Sequence, residues 1–463
     1  MDLKYSSNLA LDHDMSMQKT FSRRQFIGKS FVATAAFQVV SGHILGLNGA
    51  TSPNEKLNIA SVGVAGQGGS DLRNMETENI VALADVDWRH AAGTFKRYPN
   101  AKRYYDYREM LDKEEKNIDA VVVATPDHMH AFASIRAIKM GKHVYCEKPL
   151  THSVWEARQV AEAARKYKVA TQMGNQGQAS EETRRLSELV WAGAIGPVRE
   201  AHIWTDRPSR GLHEEYWPQG VGRPSDTPSV PDTLKWDLWL GPAPIRPYHP
   251  AYLPFKWRGW WDFGTGALGD IGCHSFDPVF RALKLGHPTS FQAFSSRVNK
   301  ETYPLASTVH YQFPARDKMP PVKLIWYDGG LRPPRPATLP DGDAMGDNGR
   351  MLVGDDGFIL GNRIYPEARR KEFADIPKTI PRSIGHYQEW IEACRGGKPG
   401  GSNFDFAGPL AEVVLLGNVA LRSDLRDELT RFKLDWDGPN QKITNLPDAN
   451  EFLRRTYREG WEL

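Results

Sequence analysis

The stretch GALGDIGCHSFD, residues 266–277, sets Asp270 and His274 four positions apart behind a run of small residues. Residues four apart share one face of a helix, and the pattern predicts a helix over 268–283. Histidine, with an unperturbed pKa of about 6.5, exchanges protons near neutrality. A neighbouring aspartate can orient the imidazole and stabilise its charged form. Taken alone, the two residues fit an ordinary ion pair on a helix surface as well as a proton-handling site.

The flanking chain favours the second. Directly upstream, FKWRGWWDFGTG (255–266) is the richest part of a region, Trp204 to Trp261, that holds seven of the fourteen tryptophans. Core packing accounts for most buried tryptophans, but a cluster beside a proton-handling pair can stack on sugar rings. A carbohydrate substrate is therefore expected, with Trp257, Arg258, Trp261 and Asp277 as candidate contacts and Asp262 and His128 as weaker ones. The segment LSELVWAGAIGPVREAHIWTDRP (186–208) reads as helix, turn and strand, and TSFQAFSSRV and PVKLIWYDG alternate apolar and polar residues. Residues 177–463 are thus expected to form an α+β domain with an open mixed or antiparallel sheet.

Residues 56–176 have a different rhythm. A strand over Leu57–Val62 runs into Gly63, Ala65 and Gly68, a G-x-G-x-x-G pattern with alanine in the middle slot, and then into a helix. Such a turn lets backbone amides, including those at Gly66 and Gln67, approach a pyrophosphate at a helix N-terminus. The next strand ends in Asp85, placed to hold the adenosine ribose hydroxyls and to repel a 2′-phosphate, which favours NAD over NADP. Further strands end at Thr125-Pro126 and at Glu147-Lys148-Pro149, and strands alternate with helices as right-handed crossovers require. The expected fold is an α/β Rossmann domain with a parallel sheet, its ligand lying beyond the strand carboxyl ends.

Composition narrows the partners. A net charge of +3 without a basic stripe excludes a nucleic-acid footprint. Cys146, Cys273 and Cys394 are too dispersed for a disulfide framework or a zinc site, and no metal is expected. Residues 22–50, SRRQFIGKSFVATAAFQVVSGHILGLNGA, carry Arg23-Arg24 before an apolar run and resemble a twin-arginine (Tat) export signal, so residues 1–50 are read as a leader. The apolar run is too short and punctuated to span a bilayer, and a periplasmic or exported protein with no stable span in its mature form is expected.

Gly63 to Gly68, Thr125-Pro126 with His130, Glu147-Lys148-Pro149, and Asp270 with His274 together resemble the glucose-fructose oxidoreductase, inositol dehydrogenase and MocA (Gfo/Idh/MocA) family, from about residue 56 to near the C-terminus. The resemblance implies a cleft trio of Lys148, Asp270 and His274, and a cofactor site completed by Thr125, Pro126, His130, Glu147, Lys148 and Asn175. It implies NAD as cofactor, no metal and a homo-oligomer. Oxidising a secondary alcohol sends hydride to the cofactor and the hydroxyl proton to a base, for which His274 is suited, while Lys148 can stabilise developing alkoxide charge. Export leaves the protein without a free NAD pool, so a tightly held NAD is expected. The expected activity is sugar or glycoside oxidoreduction. The alternative is redox-neutral glycoside cleavage, by oxidation at C3, elimination and re-reduction, as in the α-N-acetylgalactosaminidase-like relatives.

Overall fold

A computed structural model describes residues 55–210, 214–423, 425 and 432–463. Residues 1–50, expected as a leader and containing Arg23 and Arg24, lie outside these residues.

The N-terminal half alternates β1 (Asn58–Val62), α1 (Gln67–Arg73), β2 (Asn79–Ala84), α2 (Trp88–Arg97), β3 (Lys102–Tyr104), α3 (Tyr107–Glu114), β4 (Ala120–Val123), α4 (His130–Lys139), β5 (His143–Glu147), α5 (Val154–Tyr167) and β6 (Thr171–Gly174). All six strands are parallel, in the order β3-β2-β1-β4-β5-β6. Helices cover both faces, which is why the central strand β4 is the unbroken apolar run AVVV with every side chain fully buried. The strand order reverses between β1 and β4, and it is at such a point that a crevice opens beyond the strand ends.

The second half contributes α6 (Glu181–Trp191), β7 (Val198–Trp204), a short ladder of β8 (Ser209–Arg210) and β9 (Glu214–Glu215), α7 (Trp236–Leu240) and α8 (Gly266–Ala282). There follow β10 (Ser290–Ser295), β11 (Ser307–Phe313), β12 (Val322–Tyr327), β13 (Gly349–Gly354), β14 (Gly357–Leu360), β15 (Arg363–Tyr365), α9 (Glu367–Glu372), α10 (His386–Cys394), α11 (Phe404–Ser423), β16 (Leu434–Asp437) and β17 (Lys442–Ile443). Nine strands form one sheet, β15-β14-β13-β7-β12-β11-β10-β16-β17, antiparallel except where β7 and β12 run parallel. This is the open mixed sheet that the alternating sequence segments indicate.

Helix α11 joins the two halves. Arg158 of α5 donates to both carboxylate oxygens of Glu412, at 2.9 and 2.7 Å, and Phe276 of α8 meets Tyr311 of β11 edge-on at 5.8 Å. The length and hydropathy of α11 would suit a bilayer, yet 83% of its most apolar window is buried inside the protein, as befits a core helix. Helix α10 returns to the first sheet, where Trp390 and Ile391 share a core with Leu57, Ile59 and Tyr145.

Candidate active site

The small residues ahead of His274 have a packing role. A side chain at Gly272 would meet Val414 of α11 at 3.0 Å, and one at Gly269 would meet Thr265 at 2.0 Å. Glycine at both lets α8 lie close against α11 and close its own first turn, and Asp270 and His274 then line a cavity of about 570 Å³ together with residues at the carboxyl ends of the first sheet's strands. Pro278, inside α8, has no N–H to offer the His274 carbonyl one turn earlier.

Lys148 reaches the same cavity from the end of β5. Its Nζ donates to Asp270 Oδ1 at 2.6 Å and to the Asp270 carbonyl at 3.0 Å, so one side chain ties the first sheet to α8. Arg258 Nε donates to the same Oδ1 at 2.7 Å. Although burial works against its charge, Lys148 and Arg258 hold the Asp270 carboxyl well below the usual carboxylate range. The expected Asp270–His274 pairing is therefore replaced: the carboxylate is anchored by two cations, whose charge-assisted bonds outcompete a neutral imidazole. Burial, with the Lys148 ammonium beside it, lowers His274 to about pKa 3, so the ring is a neutral proton acceptor at physiological pH.

The other end of the cavity is shaped for a dinucleotide. Gly63 has φ +78°, and a side chain there would meet the Ala124 carbonyl at 2.7 Å. A side chain at Gly68 would meet the Gly63 carbonyl at 2.1 Å, so Gly68 serves close helix–strand packing while Gly63, Ala65, Gly66 and Gln67 line the cavity. Gly66, the residue before α1, offers no capping side chain, which leaves the first helix amides open to an anionic ligand. Asp85 lines the cavity at the end of β2, its two oxygens accepting from Val64 N and Asp87 N at 2.9 Å each, and burial raises its pKa. Asp87 beside it makes this end unfavourable for a 2′-phosphate. Thr125 Oγ1 is buried and lacks a hydrogen-bond partner among the described residues, as a hydroxyl awaiting a ligand would be. These residues fit NAD.

Thr125, Pro126, Glu147, Trp257 and Arg258 also line the cavity. Besides Gly68, four expected contacts do not. His130 gives both ring nitrogens to backbone carbonyls, Pro149 O at 2.7 Å and Thr125 O at 2.8 Å, and so pins the two proline turns together. Against the cost of burial, Cys146, Asp127 and the Pro149 carbonyl raise it to about pKa 10, which suits a ring donating from both nitrogens. Asn175 turns inward to accept from Ser402 Oγ at 2.5 Å, and its neighbour Gln176 faces the cavity instead, donating to Glu147 at 2.8 Å. Trp261 donates to Asn299 O at 2.9 Å and packs on Tyr303 in the core. Asp277 lies seven residues, about 10 Å, further along α8 than Asp270, where it accepts from Arg281 at 2.7 Å. Burial and that ion pair remove both from the cavity wall. The weaker candidates His128 and Asp262 are likewise engaged elsewhere, with the Trp239 carbonyl and with Arg246.

Arg207, Tyr216 and Trp461 line the cavity without any signal in the sequence. Trp461 arrives from the last residues of the chain and meets Phe132 of α4 edge-on at 5.6 Å.

Two sequence models of one oxidoreductase family match the chain: its NAD-binding Rossmann fold over residues 57–175 and its C-terminal alpha/beta domain over residues 211–295. An inositol 2-dehydrogenase of Rubrobacter xylanophilus is 32% identical over 148 residues, 31% of this chain and 42% of that protein. A levoglucosan dehydrogenase of Pseudarthrobacter phenanthrenivorans is 25% identical over 195 residues, 42% and 40% of the two chains. The matched region thus spans about two fifths of the length of these relatives. The fold is similar to the WlbA dehydrogenase of Bordetella pertussis, solved with NADH and UDP-GlcNAcA, with a TM-score of 0.55 at 15% identity over 82% of this chain and 99% of that one. It is also similar to an aldose-aldose oxidoreductase of Caulobacter crescentus, with a TM-score of 0.52 at 17% identity over 82% and 100% of the two chains.

Proposed function

Because this chain belongs to the Gfo/Idh/MocA oxidoreductase family and carries that family's NAD-binding and C-terminal domains, we propose that it oxidises a secondary hydroxyl of a sugar or glycoside, using a tightly held NAD. The observation that carries this reading is the meeting of Lys148, from the end of β5, with Asp270 and His274 of α8 in the cavity that also holds the Gly63–Gln67 turn and Asp85. Bound NAD supplies the acceptor for the hydride leaving the substrate carbon. His274 takes the hydroxyl proton, and the third N–H of Lys148, not used by Asp270, steadies the oxygen as it becomes a ketone. Asp270 holds the Lys148 side chain aimed into the cavity.

Purified protein is expected to release NAD(H) on denaturation, and Asp85→Ala to release less, because it lacks the carboxylate facing the ribose. Incubation with a panel of glycosides, followed by mass spectrometry, tests the reaction: an oxidised sugar supports this reading, released aglycone points to redox-neutral cleavage, and unchanged glycosides with unreduced cofactor overturn both.

We also propose export by the Tat route, on the strength of Arg23-Arg24 and the apolar run behind them. Replacing both arginines by lysine is expected to hold a reporter fusion in the cytoplasm. Unchanged export would remove that reading.

A further inference from the structure

The arginines at the substrate end of the cavity are arranged on aromatic surfaces. Arg258 lies over the rings of Phe255 and Trp257, at 4.1 and 4.3 Å. Arg207 and Arg210 lie over the ring of Tyr216, at 4.6 and 4.0 Å, and Tyr216 in turn meets Phe255 edge-on at 4.7 Å. Lys148, Arg207 and Arg258 line the cavity, where Lys148 and Arg258 share Asp270 and Arg207 donates to Asp206, while Arg210 of β8 sits opposite Glu214 of β9. Glu147 accepts from Gln176 at 2.8 Å and burial raises its pKa, while His274 is neutral. The acidic residues Asp85 and Asp87 belong to the opposite, adenosine end.

Arg258 also has donors to spare. Its Nε is given to Asp270 and one Nη1 hydrogen to the Phe255 carbonyl at 3.2 Å, while Nη2 makes no hydrogen bond among the described residues. A developing alkoxide needs one positive donor, and Lys148 already supplies it. A second cation, held over two rings and fixed by a carboxylate, is a preorganised receptor for a planar anion.

We infer that the substrate carries a carboxylate: the site takes a uronic acid or its glycoside, and Arg258 is the residue that selects it by pairing with the sugar carboxylate. This rests on the proposed sugar oxidation and names its substrate class. A hydrogen bond to a charged partner is worth about 1.5–3 kcal/mol, which converts to roughly tenfold or more in affinity.

The test is calorimetric binding to the NAD-loaded protein of glucuronate, galacturonate and mannuronate, each against its neutral parent sugar, alongside reduction of the bound cofactor by the same six compounds. At least one uronate is expected to bind roughly tenfold or more tightly than its parent, less so at high salt. Arg258→Gln is expected to bring that pair to parity, and Arg258→Lys to keep part of the preference, with retained NAD reporting that each variant is folded. Equal binding of every acid and its parent, or a preference that survives Arg258→Gln in folded protein, overturns the inference. Reduction of the cofactor by neutral sugars without acid preference would overturn it while leaving sugar oxidation standing. Arg258-dependent uronate binding with no reduction would support the carboxylate site and count against the oxidation.

Discussion

Replacing His274 by alanine is expected to lower the rate of cofactor reduction by about 10²- to 10⁴-fold, the usual cost of losing a positioned acid-base group. Bound NAD should be retained, because His274 lies on α8, in the half of the molecule opposite the glycine turn and Asp85. Lys148→Ala should fall as far, through loss of the ammonium that faces the reacting oxygen. The observable is single-turnover reduction of the bound cofactor, followed by its near-ultraviolet absorbance with a responsive sugar. The pH profile carries a second expectation. His274 is lowered to about pKa 3 by burial and by Lys148, so its neutral, proton-accepting form persists above that value. The rate should therefore show no acid limb near pH 6.5 in the free protein, and a limb there, lost in His274→Ala, would place the histidine in a more hydrated setting than the one described. Wild-type rates in both variants would remove His274 and Lys148 from the chemistry.

Asp270→Asn is expected to do most of its damage through stability. The substitution leaves Lys148 and Arg258, whose side chains are 12% and 16% exposed, without their shared carboxylate. Stranding a buried charge costs about 3–5 kcal/mol, and the open side of the cavity favours about 3 kcal/mol here. Thermal unfolding should fall by several degrees, and the loss should shrink in Arg258→Met/Asp270→Asn, where one stranded cation is gone. The sign of the pH dependence follows from the same contacts. The folded pKa of Asp270 is depressed, so its contribution is fully present above the unfolded carboxylate value of about 3.9 and is lost as pH falls toward the lower folded value. The stability difference between wild type and Asp270→Asn should therefore narrow only in strong acid. A difference that is constant with pH, or a variant as stable as wild type, would refute the shared-carboxylate account.

The amino-acid sequence by itself determined the alternation of strand and helix, the glycine turn, Asp85 at the end of its strand, Lys148 at the end of the next-but-two, and Asp270 with His274 on one helical face. Each is local: a few residues of period, turn chemistry or i,i+4 spacing suffice, and a strand's carboxyl end faces the crevice whatever surrounds it. The tertiary structure decided where side chains at those places point. Asn175 and Gln176 are neighbours in sequence, and a serine from 227 residues further on captures the first and leaves the cavity to the second. His130 belongs to a recognisable motif, but two backbone carbonyls claim its ring. Asp270 was legible as a charged neighbour of His274, yet its partners are Lys148, 122 positions upstream, and Arg258. Arg207, Tyr216 and Trp461 enter the wall by long-range packing that no short pattern encodes. An ion or a ring chooses among partners by distance in space and by the cost of burying charge, and those are properties of the folded core.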